Sequence, residues 1–198
     1  MTGRIIGADR YRRMPWKNGG GETVEIAVFP SNADLDGFGW RISMATVASD
    51  GPFSLFDGID RTLCVLSGPG IALIVGNGDP VRLDTGSAPF PFPADTNAAA
   101  HLIDGPITDF NVMTRRSDWR HALRKVQLPS GETLAIDPSA AHTIVFCSNG
   151  AFEASDGTAT APLATNATLW LDRGGGPWTL HSTRSGTLFV VEIEAANA

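Results

Sequence analysis

Glycine and proline punctuate this chain from end to end. The 22 glycines and 13 prolines fall between apolar runs of strand length rather than in a segment of their own. The runs are rich in β-branched and aromatic residues: Thr62-Leu-Cys-Val-Leu66, Ile71-Ala-Leu-Ile-Val75, Thr143-Ile-Val-Phe-Cys147, Thr168-Leu-Trp-Leu171 and Thr187-Leu-Phe-Val-Val-Glu-Ile193. Such spacing predicts an all-β chain of about a dozen or more strands, in sandwiches or barrels. Ser67-Gly-Pro-Gly70 and Ser148-Asn-Gly150 read as hairpin turns. Helical periodicity is scarce. Its best instance is Asp118–Lys125, where Trp119 and Leu123 stand four apart, Arg120 and Arg124 take another face and Ser117 offers a cap. Helix should stay below about 15% of residues, against a usual third.

The pattern also recurs. Asp50-Gly-Pro-Phe-Ser-Leu-Phe56 resembles Ser130-Gly-Glu-Thr-Leu-Ala-Ile136, and Arg61–Gly70 resembles His142–Ala151 at an offset of 81. Phe92 matches Leu171, and Thr108-Asp-Phe-Asn-Val-Met113 matches Thr187-Leu-Phe-Val-Val-Glu192, both at 79. Four matches in one order indicate a duplicated unit, with domains expected at 1–116 and 117–198.

Charge and composition exclude several functions. The formal net charge is −6 with only 15 lysines and arginines, which argues against nucleic acid as a partner. No run of 18 apolar residues spans a membrane. Met1–Arg13 carries four arginines and no apolar core of a secretory signal. Cys64 and Cys147 sit in apolar runs and read as buried, unpaired thiols of a cytoplasmic protein.

Within each repeat the order of features suggests a cupin, so the expected fold is all-β: a bicupin of two fused cupin-like β-barrels of jelly-roll type, related by internal duplication. Val65-Leu-Ser-Gly68 stands as the cupin turn. Counting back from it puts Arg61 where cupins place a metal-binding glutamate, and Leu55 and Asp57 where they place a His-x-His pair. The second repeat puts His142 at the Arg61 position. The four histidines, His101, His121, His142 and His181, offer no ligand-pair spacing. A guanidinium would oppose a cation, so neither metal nor other cofactor is expected, and Arg61 would favour an anion. The competing reading is a surface arginine beside Asp57 and Asp60.

Met14-Pro-Trp-Lys-Asn-Gly-Gly-Gly-Glu-Thr-Val-Glu-Ile26 is the most distinctive stretch. Its three glycines let the backbone approach a ligand closely. It is neither a Walker loop nor a dinucleotide-binding fingerprint. Beyond it, alternation puts Thr23 and Glu25 on one strand face, with Val24, Ile26 and Val28 on the other. Arg41 and Ser43 share a face, as do Asp109, Asn111 and Met113. These faces are either the outside of a sandwich or the lining of a cavity.

The 14–26 stretch, Phe38-Gly-Trp-Arg-Ile-Ser-Met-Ala45, Gly51-Pro-Phe-Ser54 with Gly58-Ile-Asp-Arg61, and Gly105-Pro-Ile-Thr-Asp-Phe-Asn-Val-Met-Thr-Arg-Arg116 together resemble the signature of the HutD/Ves family. The resemblance implies a bicupin associated with histidine utilisation. Such a protein would bind a small pathway intermediate, such as urocanate or a formylated glutamate, and moderate the pathway; no enzymatic reaction is established for the family. On that basis the candidate ligand-binding residues are Trp16, Lys17, Asn18, Gly19, Gly20, Thr23, Glu25, Arg41, Ser43, Arg61, Asp109, Asn111 and Met113, with Trp16, Phe53, Phe110 and Met113 as apolar walls. The set suits a small anionic metabolite bearing a carboxylate and an amide or imidazole. The alternative is a metal-independent cupin enzyme, an isomerase, lyase or hydrolase, for which His142 is the candidate base. Oligomeric state is open, with a homodimer through edge strands as one option.

Overall fold

The computed structural model describes residues 3–16 and 21–197. Lys17, Asn18, Gly19 and Gly20, expected at the site, lie outside the described residues. A short strand, β1 (Gly3–Ile6), precedes the one helical turn among the described residues, Ala8–Arg10. Then follow β2 (Arg12–Pro15), β3 (Gly21–Phe29), β4 (Trp40–Val47), β5 (Gly51–Pro52), β6 (Ile59–Ser67), β7 (Ile71–Val75), β8 (Val81–Leu83), β9 (Phe90–Pro93), β10 (Ala98–Leu102) and β11 (Ile107–Arg115). The chain continues through β12 (Trp119–Leu128), β13 (Thr133–Ile136), β14 (His142–Ser155), β15 (Thr160–Leu163), β16 (Thr168–Asp172) and β17 (Trp178–Ala195).

Two compact units result, residues 11–120 and residues 3–10 with 121–196. Residues 3–10, expected with the first barrel, fold with the second half. The reason is backbone pairing: β1 runs antiparallel to β16, Gly3 opposite Leu171 and Ile6 opposite Thr168. It covers an edge that would otherwise expose unpaired amides and carbonyls.

The 11–120 unit is a sandwich of a six-stranded sheet, β2-β3-β4-β11-β6-β9, and a four-stranded sheet, β5-β10-β7-β8. Part of its interior is apolar, where Leu63, Val65 and Phe92 cluster with Ile71, Leu73, Leu83, Ala98 and Ala100. The other unit repeats the orders β4-β11-β6-β9 and β5-β10-β7-β8, as β12-β17-β14-β16 and β13-β17-β14-β15. There β14 and β17 are long enough to pass through both layers, with bulges between Cys147 and Phe152. Ser67–Gly70 and Ser148–Gly150 are therefore not hairpin turns. The first carries the chain from β6 in one sheet to β7 in the other, and the second is a corner inside β14.

The two corners fix how the repeats superpose. Gly68 and Gly150 have φ values of 93° and 95°, a region that side chains rarely enter. A Cβ on Gly68 would meet the Pro106 carbonyl and Ile107, and one on Gly150 would meet the Ser185 carbonyl and Gly186. Gly68 thus corresponds to Gly150, an offset of 82, and Pro106 to Ser185, an offset of 79. The ladders agree: Arg61 faces Phe92 and Met113, while Thr143 faces Leu171 and Glu192. The counterpart of Arg61 is Thr143, not His142. A shift of one residue turns a side chain to the opposite face of a strand, and His142 lies on the face away from the interior cluster of Val145, Leu169, Leu171 and Val190.

The expected helix at 118–125 is strand β12. Its burial alternates, with Trp119, His121 and Leu123 more covered than Arg120, Ala122 and Arg124. Residues four apart share a face in a strand as well as in a helix, so Trp119 and Leu123 never separated the two. Cys64 and Cys147 are buried thiols outside any disulfide. No helix among the described residues is long and apolar enough to cross a membrane.

Corner geometry gives a direct check on the fold. Gly68→Ala adds positive-φ strain to a clash with backbone and should cost roughly 3 kcal/mol or more, lowering Tm by about 10 °C. Gly131→Ala also has positive φ, 87°, but meets nothing within 4 Å, and should cost about 1 kcal/mol. Equal melting temperatures for the two variants would contradict the corner.

Candidate functional site

The interior of the 11–120 unit is not filled. A cavity of about 660 Å³ opens among β2, β3, β4, β6 and β11, floored by the polar rows that strand alternation sets inward. The register aligns these rows. Arg41 on β4 lies opposite Met113 on β11, which lies opposite Arg61 on β6. Asn111 sits opposite Ser43 and Leu63, and Asp109 opposite Ala45 and Val65. Thr23 and Glu25 on β3 pair with Ala45 and Ser43. Arg41 and Ser43, and Asp109, Asn111 and Met113, are thus on the interior side of one sheet. Arg61 is inside with them, buried to 7% exposure, and not on the surface beside Asp57 and Asp60.

Three side chains lie on other faces than expected. Val28 was placed opposite Thr23 and Glu25, yet it pairs with Arg41 and packs near Phe38, Ile59 and Met113 on the inner face. The bulge between Glu25 and Ala27 inserts a residue and reverses the alternation beyond it. Phe110, expected as a cavity wall, falls between Asp109 and Asn111, so its ring is on the opposite face, opposite Met44 and Cys64. His142 lies outside the barrel interior. It is bonded to Asp172 at 3.3 Å and set edge-on to Trp170, and burial holds its imidazole below the usual range against the pull of Asp172.

The polar groups form an ordered chain. Arg61 Nε donates to Asn111 Oδ1 at 2.8 Å, and Asn111 Nδ2 donates to Asp109 Oδ1 at 2.6 Å. Arginine only donates and a carboxylate only accepts, so the Asn111 amide has one consistent orientation. The Arg61 guanidinium also lies over the Phe53 ring, 4.4 Å from its centroid, and near Phe92 at 5.6 Å. Among the described residues its two terminal nitrogens make no hydrogen bond. Arg41 is neutralised by Glu25, Nε to Oε2 at 2.7 Å, with both side chains under one-tenth exposed. Glu25 is therefore the partner of Arg41 and not itself part of the cavity lining. Trp16 Nε1 donates to Thr23 Oγ1 at 2.8 Å, so the indole N–H is engaged where both residues line the cavity.

Burial sets the electrostatics. Asp109 is wholly covered, and desolvation pushes its carboxyl up to about 6, against the pull of Arg61, Asn111 and the Ala45 backbone. Its Oδ2 has no hydrogen-bond partner among the described residues. The same desolvation lowers Arg61 to about 10; Asp109 opposes that shift and Arg41 adds to it. Arg61 remains a cation at neutral pH, with Arg41 and Glu25 cancelling beside it.

Sequence reasoning missed Leu35 and Phe56, which line the cavity from loops. Leu35 is 49% exposed between Asp34 and Asp36, and an apolar residue in so polar a turn was the available signal. Among the described residues no three His, Cys, Asp or Glu side chains converge as metal ligands. The second unit shows what the site costs in packing. The counterparts of Arg61, Asn111 and Asp109 are Thr143, Val190 and Leu188, all buried, and the last two belong to an apolar cluster.

Asp109 gives the unliganded protein a pH-dependent stability. Its folded value of about 6 lies above the unfolded value near 3.8, so its contribution is complete below pH 4 and declines as pH rises to 6. Asp109→Asn, which cannot ionise, should be the more stable protein at pH 8 by roughly 1–3 kcal/mol. The difference should vanish by pH 4. Thermal melts that stay parallel across this range would contradict the buried carboxyl.

Comparison with known proteins agrees with this architecture. A sequence model of the HutD family matches residues 8–190. A 21.2 kDa protein in the hutC 3' region of Pseudomonas putida is 40% identical over 121 residues, 61% of this chain and 63% of that protein. Protein Ves of Cronobacter sakazakii is 38% identical over 117 residues, 57% of this chain and 62% of that one, so the match spans under two thirds of these relatives. Among solved structures, HutD from Pseudomonas fluorescens SBW25, obtained in a formate condition, is 29% identical with a TM-score of 0.81 over 98% of both chains. A bacterial pirin from Escherichia coli in complex with nickel(II), 10% identical with a TM-score of 0.70 over 96% of this chain and 98% of that one, shares the fold. By the extent of the sequence match and the shared architecture, the chain belongs to the HutD family.

Proposed function

We propose that the cavity binds a small carboxylate metabolite of the urocanate or N-formylglutamate type, and that the protein serves as a sensor or governor of histidine utilisation rather than as a catalyst. The observation that carries this reading is the Arg61 guanidinium. It is held by Nε to Asn111 and supported from one side by Phe53, and among the described residues its terminal nitrogens have no acceptor. A planar fork with an open edge is the arrangement that receives a carboxylate through two parallel hydrogen bonds. Asn111 holds the fork in place before the ligand arrives, which reduces the ordering cost of binding.

The volume fits a metabolite of this size. Trp16, Phe53, Phe56 and Met113 supply apolar walls, and Ser43 a hydroxyl. A catalyst would need a base within reach of the substrate. The described lining holds no His, Cys or Lys, and Asp109 is wholly covered. The association with histidine utilisation rests on the family and on the hutC-region relative.

Calorimetric titration of urocanate and N-formyl-L-glutamate tests the reading. Charged hydrogen bonds contribute roughly 1.5–3 kcal/mol each, so Arg61→Ala should weaken binding about tenfold to several hundredfold. Arg61→Lys, which keeps the charge but not the fork, should fall between. Binding by Arg61→Ala as tight as by the parent would contradict the assignment.

A further inference from the structure

We propose that anion binding in this cavity is coupled to the uptake of a proton by Asp109, so that an external anion on Arg61 replaces the internal charge of that carboxylate. The inference rests on the carboxylate reading of the cavity and adds how the site is regulated.

Among the described residues the charges facing Asp109 are few. Across the sheet stand Arg61 on β6, Arg41 on β4 and Glu25 on β3, and Asp109 and Asn111 share β11. Arg41 and Glu25 form a closed pair, which leaves Arg61 and Asp109 to balance one another. They do so without touching, because the Asn111 amide stands between them and engages each. A carboxylate arriving at the open edge of Arg61 therefore breaks no ion pair. It does put a second negative charge beside a carboxylate that has no access to water.

Two buried anions sharing one cation is the arrangement in which one of them takes a proton. Asp109 has a place for it. Oδ1 accepts the Asn111 amide, and Oδ2 accepts nothing from the described protein, so a proton on Oδ2 displaces no hydrogen bond. The free carboxyl, at about 6, is already poised near neutrality. Ligand entry raises it further, and by reciprocity the protonated protein binds the anion better. Affinity should be level below pH 6. Above it, ionisation of Asp109 must be reversed for the anion to bind, so affinity falls as pH rises.

The probe is N-formyl-L-glutamate, whose carboxyl groups do not titrate above pH 6. Titration at pH 7.5 in HEPES and in Tris, buffers of different ionisation enthalpy, counts the protons taken up. The parent should take up between about one half and one proton per ligand, and affinity should fall by up to about tenfold per pH unit from pH 6.5 to 8.5. Asp109→Asn should show neither effect. Should that variant fail to fold, the proton count and pH slope of the parent decide alone. Binding by the parent with no proton uptake and no pH slope overturns the coupling and leaves the carboxylate reading intact. Equal uptake by Asp109→Asn also overturns it. Absence of binding at every pH overturns both readings.

Discussion

A guanidinium between two β-sheets sets the terms for its whole unit. Where a sandwich of this size would close over aliphatic side chains, Arg61 occupies the interior at 7% exposure. A buried cation is tolerated only with compensation. The compensation is visible around it: a hydrogen bond from Nε to Asn111, Asp109 one amide further, and the face of Phe53 beneath the charge. The second cation, Arg41, has its own counter-ion in Glu25. None of these contacts fills the space above the fork, and the cavity is what remains.

The other unit shows the same framework without that constraint. It has the same order through four strands of each sheet and the same glycine corner, but Thr143, Val190 and Leu188 stand where Arg61, Asn111 and Asp109 stand, and Val190 and Leu188 join a buried apolar cluster. A repeated strand order, register and corner are consistent with internal duplication. The pair separates the two tasks of a core: one unit sets apolar side chains at these positions, while the other gives them over to a polar floor. Proteins commonly carry such local cost at functional sites.

Much of this was legible in the residues. Alternation alone put Arg41 with Ser43 and Asp109 with Asn111, because a strand has a fixed period of two. Which face was interior was not legible, since a polar row reads the same outside a sandwich as inside a cavity. Val28 was misplaced because nothing in Glu25-Ile-Ala27 announces a bulge. His142 was matched to Arg61 because Thr-hydrophobic runs align equally well one residue apart, whereas the faces of the strands distinguish the two registers. Trp119 and Leu123 suggested a helix only because a spacing of four suits both periods. The Asn111 relay, which joins two strands 50 residues apart in sequence, had no local signature at all.

The resting place of a ligand carboxylate decides what the cavity does. A crystal structure of the protein with N-formyl-L-glutamate measures that directly. The predicted result is a carboxylate in the cavity of the 11–120 unit, its two oxygens within about 3 Å of the terminal nitrogens of Arg61, with the Arg61–Asn111–Asp109 chain unchanged. A ligand seated elsewhere, or in the cavity with Arg61 turned away from it, would contradict the account.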